Sequence, residues 1–260
     1  MALAGSVTSA AVAGAATNGS AGGGTASSSW STCTLDRHTD VANDMIVRNN
    51  GSQPMCMSSD GGDDFTVTQS SVNKNWANFP NIYTGCELDG DTGPQLCSPD
   101  HATPVQLSSI HSDTSSVSYY YPQQGFSGNS AYDIWFNKAG GAPVGRDNGA
   151  EVMIWLGSHG IGNPIYDRKV EIDGIWWGYK TWRATESGAS WNYVRYWRLS
   201  NQTPGSAATL NLVPFFQDAE NAGTLSSSWY LTGTEYGFET CSGGAGLQVK
   251  NFTDSINGAG

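Results

Sequence analysis

The stretch Glu151-Val152-Met153-Ile154-Trp155-Leu156 decides the fold that we expect for this chain. Successive side chains of a β-strand point to opposite faces, so its valine, isoleucine and leucine would form one continuous aliphatic face. Such a face is typical of a strand that packs against a core. The opposite face would carry a carboxylate, a thioether and an indole side by side. A lone glutamate at the start of a strand is usually a solvated edge residue, so this stretch alone does not establish a site.

Similar runs of aromatic and β-branched residues recur on both sides of this stretch, between turns rich in Gly, Pro, Asn and Asp. Strand and helix patterns do not alternate, which favours an all-β fold, a sandwich or jelly roll of two antiparallel sheets. One short helix is predicted over residues 214–222, because Phe215, Phe216 and Ala219 recur at helical spacing. The predicted strands cover residues 64–68, 116–121, 131–137, 150–157, 168–182, 191–199 and 208–216.

The composition is poor in charge and rich in aromatic residues. Charged residues make up 13% of the 260 residues, against about 25% in an average protein. Abundant glycine with 10 tryptophans and 11 tyrosines indicates a secreted β-protein that handles neutral polar ligands. The net charge of −11 argues against nucleic acid or an anionic membrane as a partner.

Residues 1–29 consist almost entirely of small residues, mainly Ala, Gly, Ser and Thr. They resemble the end of an export signal, although no basic leader precedes them. The segment is too short and too rich in small residues to span a membrane. We therefore expect a truncated export signal or flexible linker at 1–29 and a single domain at 30–260, secreted and extracellular.

The five cysteines indicate an oxidising compartment. Cys33 and Cys56 bracket one short stretch and Cys86 and Cys97 bracket another, which predicts two local disulfides. A zinc site with four cysteine ligands is disfavoured because no Cys-x-x-Cys pair is present, and the histidines have no metal-ligand spacing. Cys241 would remain as a free, partly buried thiol.

A second acidic stretch, Gly233 to Cys241, predicts a strand with Glu235 and Glu239 on one face. Asp133 is a third carboxylate that projects from an otherwise apolar predicted strand. Such carboxylates are costly unless they are paired, hydrogen-bonded or used. Glycoside hydrolysis needs two carboxyl groups of different pKa, about 5–5.5 Å apart in retaining enzymes and about 6.5–9.5 Å apart in inverting ones. The acids required for this chemistry are present, although sequence does not measure their separation.

Five pieces of sequence together resemble one enzyme family. They are Glu151-Val152-Met153-Ile154-Trp155-Leu156, Gly237-Phe238-Glu239, Asn129-Ser130-Ala131-Tyr132-Asp133, Phe79-Pro80-Asn81-Ile82 and Asn251-Phe252-Thr253-Asp254-Ser255-Ile256. The family is glycoside hydrolase family 12, retaining endo-β-1,4-glucanases and xyloglucanases on a β-jelly roll with a concave substrate cleft. The resemblance covers roughly residues 33–257, and the two cysteine pairs resemble those of bacterial members.

The resemblance implies roles for individual residues. Glu151 resembles the nucleophile and Glu239 the acid/base. Independently of the resemblance, Glu235 is the next candidate for the acid/base, because it lies on the same predicted strand face four residues earlier. Asp133 resembles the aspartate that hydrogen-bonds the nucleophile. Asn49-Asn50 resembles the start of an Asn-Asn-x-Trp element that supplies a sugar-stacking tryptophan. The implied substrate-binding residues are Asn50, Asn129, Met153, Trp155 and Pro164.

Two positions depart from the family pattern. Ser52 stands where the stacking tryptophan is expected, and we predict that Trp76 replaces it in binding substrate. Cys241 occupies a place that usually holds a larger side chain. Both departures concern substrate preference and leave the predicted catalytic pair intact.

The sequence therefore predicts a secreted retaining endo-β-1,4-glucanase that acts as a monomer on cellulose-type or mixed-linkage β-glucan, or on xyloglucan, without a cofactor or metal. A non-catalytic, lectin-like jelly roll is one alternative. It would need aromatic platforms but would gain nothing from opposed carboxylates. A xylanase on a similar jelly roll, which also uses two glutamates, is the other alternative.

Overall fold

The strands of the molecule form two sheets that pack face to face. The computed structural model describes residues 28–41, 45–88, 95–99, 101–145, 147–186, 188–200 and 203–259. Most of the predicted leader, residues 1–27, lies outside the described residues, so its role stays a prediction. No helix among the described residues has the length and apolar character needed to cross a membrane.

The smaller sheet has six strands, in the order β1-β4-β5-β18-β9-β15. Its strands are β1 (Trp30–Thr32), β4 (Met55–Ser59), β5 (Phe65–Ser70), β9 (Asp113–Tyr120), β15 (Gly205–Asn211) and β18 (Gln248–Ile256).

The larger sheet has twelve strands, and its main path runs β12-β13-β14-β11-β10-β16-β6-β3-β2. These strands are β2 (His38–Val41), β3 (Met45–Gly51), β6 (Asn78–Leu88), β10 (Phe126–Asn137), β11 (Ala150–His159), β12 (Arg168–Ile172), β13 (Ile175–Glu186), β14 (Ala189–Arg198) and β16 (Tyr230–Gly237). Three short strands pair beside this path: β7 (Gln95–Cys97), β8 (Val105–Gln106) and β17 (Thr240–Gly243).

Strand β11 has the two contrasting faces that alternation predicts. Val152, Ile154 and Leu156 lie in the core between the sheets. Met153 and Trp155 belong to a separate aromatic cluster on the outer face of the larger sheet. We call this outer face the site face.

The one α-helix of the described residues, α1 (Val213–Asn221), closes one edge of the core. The edge of the Phe215 ring packs on Trp177, and that of Phe216 packs on Phe136, each with ring centroids 5.0 Å apart. This helix confirms the helix predicted over 214–222. The strand predicted over 208–216 stops at Asn211, because the chain turns into the helix there.

Two predicted strands are interrupted in the structure. The run 168–182 folds into β12 and β13 around Asp173-Gly174, whose positive φ angles of 49° and 73° suit a tight hairpin. The run 233–241 divides into β16 and β17, and Glu239 lies between them. The prediction of one continuous strand there was wrong: β16 and β17 keep the same neighbours, β10 and β6, but the ladder breaks opposite Pro80. The Phe238 N–H donates to the Pro80 carbonyl, whereas proline has no N–H to donate in return.

Both predicted disulfides are confirmed. Cys33 is bonded to Cys56 on β4, and Cys86 on β6 is bonded to Cys97 on β7. Cys241 is free, as predicted, and is more fully buried than predicted.

Candidate active site

The register of the central strands brings the predicted carboxylates onto the site face. On β10, Asp133 lies opposite Met153 of β11 on one side and Glu235 of β16 on the other. Glu151 lies opposite Trp135 of β10 and Tyr193 of β14. Directly opposed residues on neighbouring strands have Cβ atoms about 4.5–5.5 Å apart, so the sheet itself assembles this group.

Glu151 is buried, with 7% of its surface exposed, and is held by an indole. Trp191 on β14 donates its Nε1–H to Glu151 Oε2 at 2.5 Å. Burial and the charge of Asp133 raise the pKa of Glu151 well above its usual range, while the Trp191 bond opposes this rise. Trp191 lies in the predicted strand over 191–199, and no role in the site was predicted for it. Its strand periodicity was visible, but its pairing with β11 was not.

Glu239 is half-buried in the link between β16 and β17. The Asn129 side-chain amide donates to Glu239 Oε2, and the Glu239 N–H donates to Asn129 Oδ1 at 3.3 Å. Burial raises the pKa of Glu239 to about 7, against the lowering effects of the Asn129 bond and the Arg195 charge. Gly128 has a φ of 154°, and a Cβ there would lie 2.0 Å from the Glu239 carbonyl oxygen, so only glycine lets the link approach β10 this closely.

Asn129 therefore has a different contact from the predicted one. It was expected to line the substrate cleft, but its side chain is fully buried and is committed to Glu239. It orients the predicted acid/base rather than facing a sugar.

Asp133 also departs from its implied contact. The Trp135 side chain hydrogen-bonds its carboxylate, while its Oδ1 has no hydrogen-bond partner. The expected hydrogen bond to Glu151 is thus not formed among the described residues. Burial and the charge of Glu239 raise the pKa of Asp133 well above its usual range. When Asp133 is ionised, its charge in turn raises the pKa of Glu151.

Met153 and Trp155 form the underside of the site. Both were expected to line the substrate cleft. They expose only 1% and 3% of their surfaces, so neither presents a free face to a ligand. The Tyr193 hydroxyl donates to Met153 Sδ at 2.7 Å. The Arg195 guanidinium lies 4.8 Å from the centre of the Trp155 ring. These contacts make a packed aromatic floor beneath the carboxylates.

Trp76 lies close to position 52, where the family pattern has a stacking tryptophan. Ser52 N–H and Oγ both donate to the carbonyl of Ala77, the next residue after Trp76. The Trp76 ring is 49% exposed, and its centroid lies 5.9 Å from that of Trp155. An exposed indole therefore adjoins the floor beside position 52. Substrate-binding roles for Asn50, Trp76 and Pro164 stay predictions.

Glu235 lies beneath the surface rather than at it. It is fully buried opposite Asp133, and Asn81 Nδ2 donates to its Oε2 at 2.5 Å. Arg48 forms a buried ion pair with Glu87 nearby and also bonds Asp36 at 3.1 Å. A carboxyl so enclosed is poorly placed to exchange protons with a bound molecule.

The described part of the chain offers no clear place for a metal. Its one group of clustered potential ligands is Cys86, Cys97 and His101. The two cysteine sulfurs of this group are joined to each other in a disulfide.

The two glutamates thus have contrasting surroundings, which is what paired acid–base chemistry requires. Burial raises the pKa of both carboxyls, that of Glu239 to about 7, but their partners and exposure differ. Glu151 is buried and bonded by the indole of Trp191, whereas Glu239 is partly exposed and bonded by the amide of Asn129. A nearly all-β sandwich that carries such a pair on one sheet face has the architecture of a glycoside hydrolase.

The chain belongs to glycosyl hydrolase family 12, whose model matches residues 38–257. Endoglucanase S of Pectobacterium parmentieri is 30% identical over 57% of this chain and 56% of that protein. Xyloglucan-specific endo-beta-1,4-glucanase A of Emericella nidulans is 31% identical over 60% of this chain and 63% of that protein. The structure of endoglucanase cel12A from Rhodothermus marinus superposes with a TM-score of 0.74 at 29% identity, covering 88% of this chain and 99% of that one. The matches to the two curated relatives therefore each span less than two thirds of the relative's length.

Proposed function

We propose that this protein is a secreted endo-β-1,4-glucanase that cleaves internal bonds of β-glucan with retention of configuration. The observation that carries the proposal is the contrast between Glu151 and Glu239 on one sheet face. Family membership and the names of the relatives, an endoglucanase and a xyloglucan-specific glucanase, support the same class of substrate.

In the proposed reaction, ionised Glu151 attacks the anomeric carbon while Glu239 gives its proton to the leaving glycosidic oxygen. The Trp191 N–H favours the ionised form of Glu151 and opposes burial and the Asp133 charge, which raise the pKa of this carboxyl. Burial keeps Glu239 protonated up to about pH 7. Glu239 then removes a proton from water, and the water oxygen displaces Glu151 from the sugar.

The test is reducing-sugar release from carboxymethylcellulose, mixed-linkage glucan, xyloglucan and xylan. We expect glucan cleavage, and loss of several orders of magnitude in turnover for Glu151→Gln and for Glu239→Gln with unchanged thermal melting. NMR of the first product should show the β-anomer. An α-anomer would refute retention, and near-normal activity of Glu239→Gln would refute its assignment.

The same panel separates the alternatives. Binding of glucan without release of reducing ends would favour a lectin-like module. Faster turnover of xylan than of glucan would make the protein a xylanase.

Export and a monomeric state are also part of the proposal. The two disulfides support an oxidising compartment. Light scattering on the purified protein should give the mass of one chain. Loss of activity on mild reduction without unfolding would contradict a structural role for the disulfides.

A further inference from the structure

Exposed hydrophobic side chains gather at one edge of the site face. Of the six large hydrophobic side chains that are exposed among the described residues, four lie on β13 or just before β12: Ile165, Tyr166, Trp176 and Trp182. Soluble proteins rarely concentrate exposed apolar groups without a binding role.

The three aromatic residues of this group all lie on the site face. On β13, Trp177 and Tyr179 point into the core, so alternation directs Trp176, Gly178 and Trp182 outward. Tyr166 joins this row because its ring lies across Gly178. We call Tyr166, Trp176 and Trp182 the edge strip.

Gly178 provides the space for the Tyr166 ring. A Cβ at position 178 would lie 2.8 Å from Tyr166 Cδ1 and 3.0 Å from Cγ. Lys169, opposite Gly178 in the hairpin, places its Nζ 5.9 Å from the centre of the ring. The ring is 37% exposed, so it is seated against the strand while part of it remains open to solvent.

The edge strip is continuous with the aromatic floor. The Trp182 ring stacks on Tyr193 with centroids 3.9 Å apart and planes 28° apart. Tyr193 in turn lies opposite Glu151 and bonds Met153. Arg195 lies 5.7 Å from the Trp182 ring centre and 4.8 Å from that of Trp155. A polymer lying over the carboxylates would therefore meet the strip without crossing a gap of polar surface.

The strip has the chemistry of a sugar-binding surface. Pyranose rings present C–H faces that pack on aromatic rings and hydroxyl edges that seek polar partners. Between the rings, Lys180 is paired with Asp167 at 2.8 Å and supplies such partners. Trp176 and Trp182 are six residues apart, which is about 20 Å along a strand, so the strip has the length of several sugar units.

Resting on the proposed function, we propose that the edge strip is an additional binding surface for β-glucan, which holds a stretch of the polymer beside the catalytic carboxylates. It would add affinity for long chains and contribute little to short ones, because a short ligand bound at Glu151 does not reach Tyr166 and Trp176.

The test measures binding of mixed-linkage β-glucan and of cellotriose by calorimetry, in a Glu151→Gln background that prevents turnover. We expect Tyr166→Ala combined with Trp176→Ala to raise the Kd for the polymer by about tenfold or more, and the Kd for cellotriose by less. Tyr120→Ala is the matched control, because Tyr120 is 38% exposed but lies on the smaller sheet. It should leave both Kd values unchanged.

A second variant separates the position of the ring from its presence. Gly178→Ala keeps every aromatic residue but displaces Tyr166, so it should also weaken polymer binding while thermal melting stays close to the parent.

The proposal would be overturned if the double variant bound the polymer as tightly as Tyr120→Ala does. A second outcome would also overturn it: the parent protein forms a concentration-dependent dimer, and the double variant loses this dimer but keeps its glucan affinity. That outcome would assign the strip to self-association. Either result leaves glucan cleavage by the wild type intact, so failure of the strip is distinguishable from failure of the proposed function.

Discussion

The hydrogen bond from Trp191 to Glu151 gives the sharpest test of the catalytic assignment. We consider Trp191→Phe, which removes the indole N–H but keeps an aromatic ring against Trp135, whose ring centroid lies 5.4 Å away. The bond stabilises the ionised form of Glu151, so its removal raises the pKa of that carboxyl. A nucleophile must be ionised, and the acid limb of the pH profile should therefore move to higher pH.

The size of the shift follows from the bond. A hydrogen bond to a charged group contributes about 1.5–3 kcal/mol, and one pKa unit corresponds to about 1.4 kcal/mol. The acid limb of kcat/KM should therefore rise by about one to two pH units. At a pH below the acid limbs of both the wild type and Trp191→Phe, kcat/KM of the variant should be about 10- to 100-fold lower than that of the wild type. The loss should be smaller on the plateau of the profile.

The assay is kcat/KM on mixed-linkage glucan from acid to alkaline pH. Trp197→Phe is the matched control: both tryptophans are 9% exposed in the same cluster, but the Trp197 indole nitrogen has no hydrogen-bond partner. Its acid limb should stay in place. An unmoved limb in Trp191→Phe, or equal shifts in both variants, would refute the assignment of Glu151 as the group that must ionise.

Three further predictions follow from other contacts. Asp133→Asn should lower turnover less than either glutamate variant and should shift the acid limb to lower pH, because the charge of Asp133 raises the pKa of Glu151; an unchanged profile would contradict this coupling. Trp76→Ala should raise KM on short cello-oligosaccharides and change their cleavage pattern, with a smaller effect on polymers; unchanged products on chromatography would make Trp76 a packing residue. Burial and the neighbouring Asp254 raise the pKa of Asp113 to about 9. Folding therefore takes up a proton, and this stabilisation, complete below about pH 4, is lost as pH rises towards 9. Asp113→Asn should flatten the decline in the free energy of unfolding between about pH 6 and 9, as measured by urea denaturation; an unchanged slope would show that Asp113 ionises normally in the folded protein.

Local pattern predicted much of this molecule. The alternation in 151–156 separated a core face from a site face, and the structure confirms both. The helix at 213–221 and the two disulfides were also predictable, because helical spacing and the short separations within cysteine pairs are local properties. These features depend on which residues are near one another in the chain.

The partners of the predicted catalytic residues were decided by tertiary structure. Glu151 receives its hydrogen bond from Trp191 because β14 pairs in parallel with β11, a register that no periodicity specifies. Glu239 lies outside a regular strand because the ladder breaks opposite Pro80, which has no N–H to donate, and Asn129 is buried where it bonds Glu239.

The difference between local pattern and tertiary structure also accounts for the positions of Glu235 and Tyr166. By sequence alone, Glu235 and Glu239 have equivalent positions on one strand face, yet only Glu239 is half-exposed, because Glu235 is enclosed opposite Asp133. Tyr166 lies in a loop, and only the packing of that loop on Gly178 brings its ring to the edge strip. The sequence determined which residues could serve on each face, since side-chain direction along a strand is local. Tertiary structure decided which of them meet, since strand pairing joins residues that are distant in the chain.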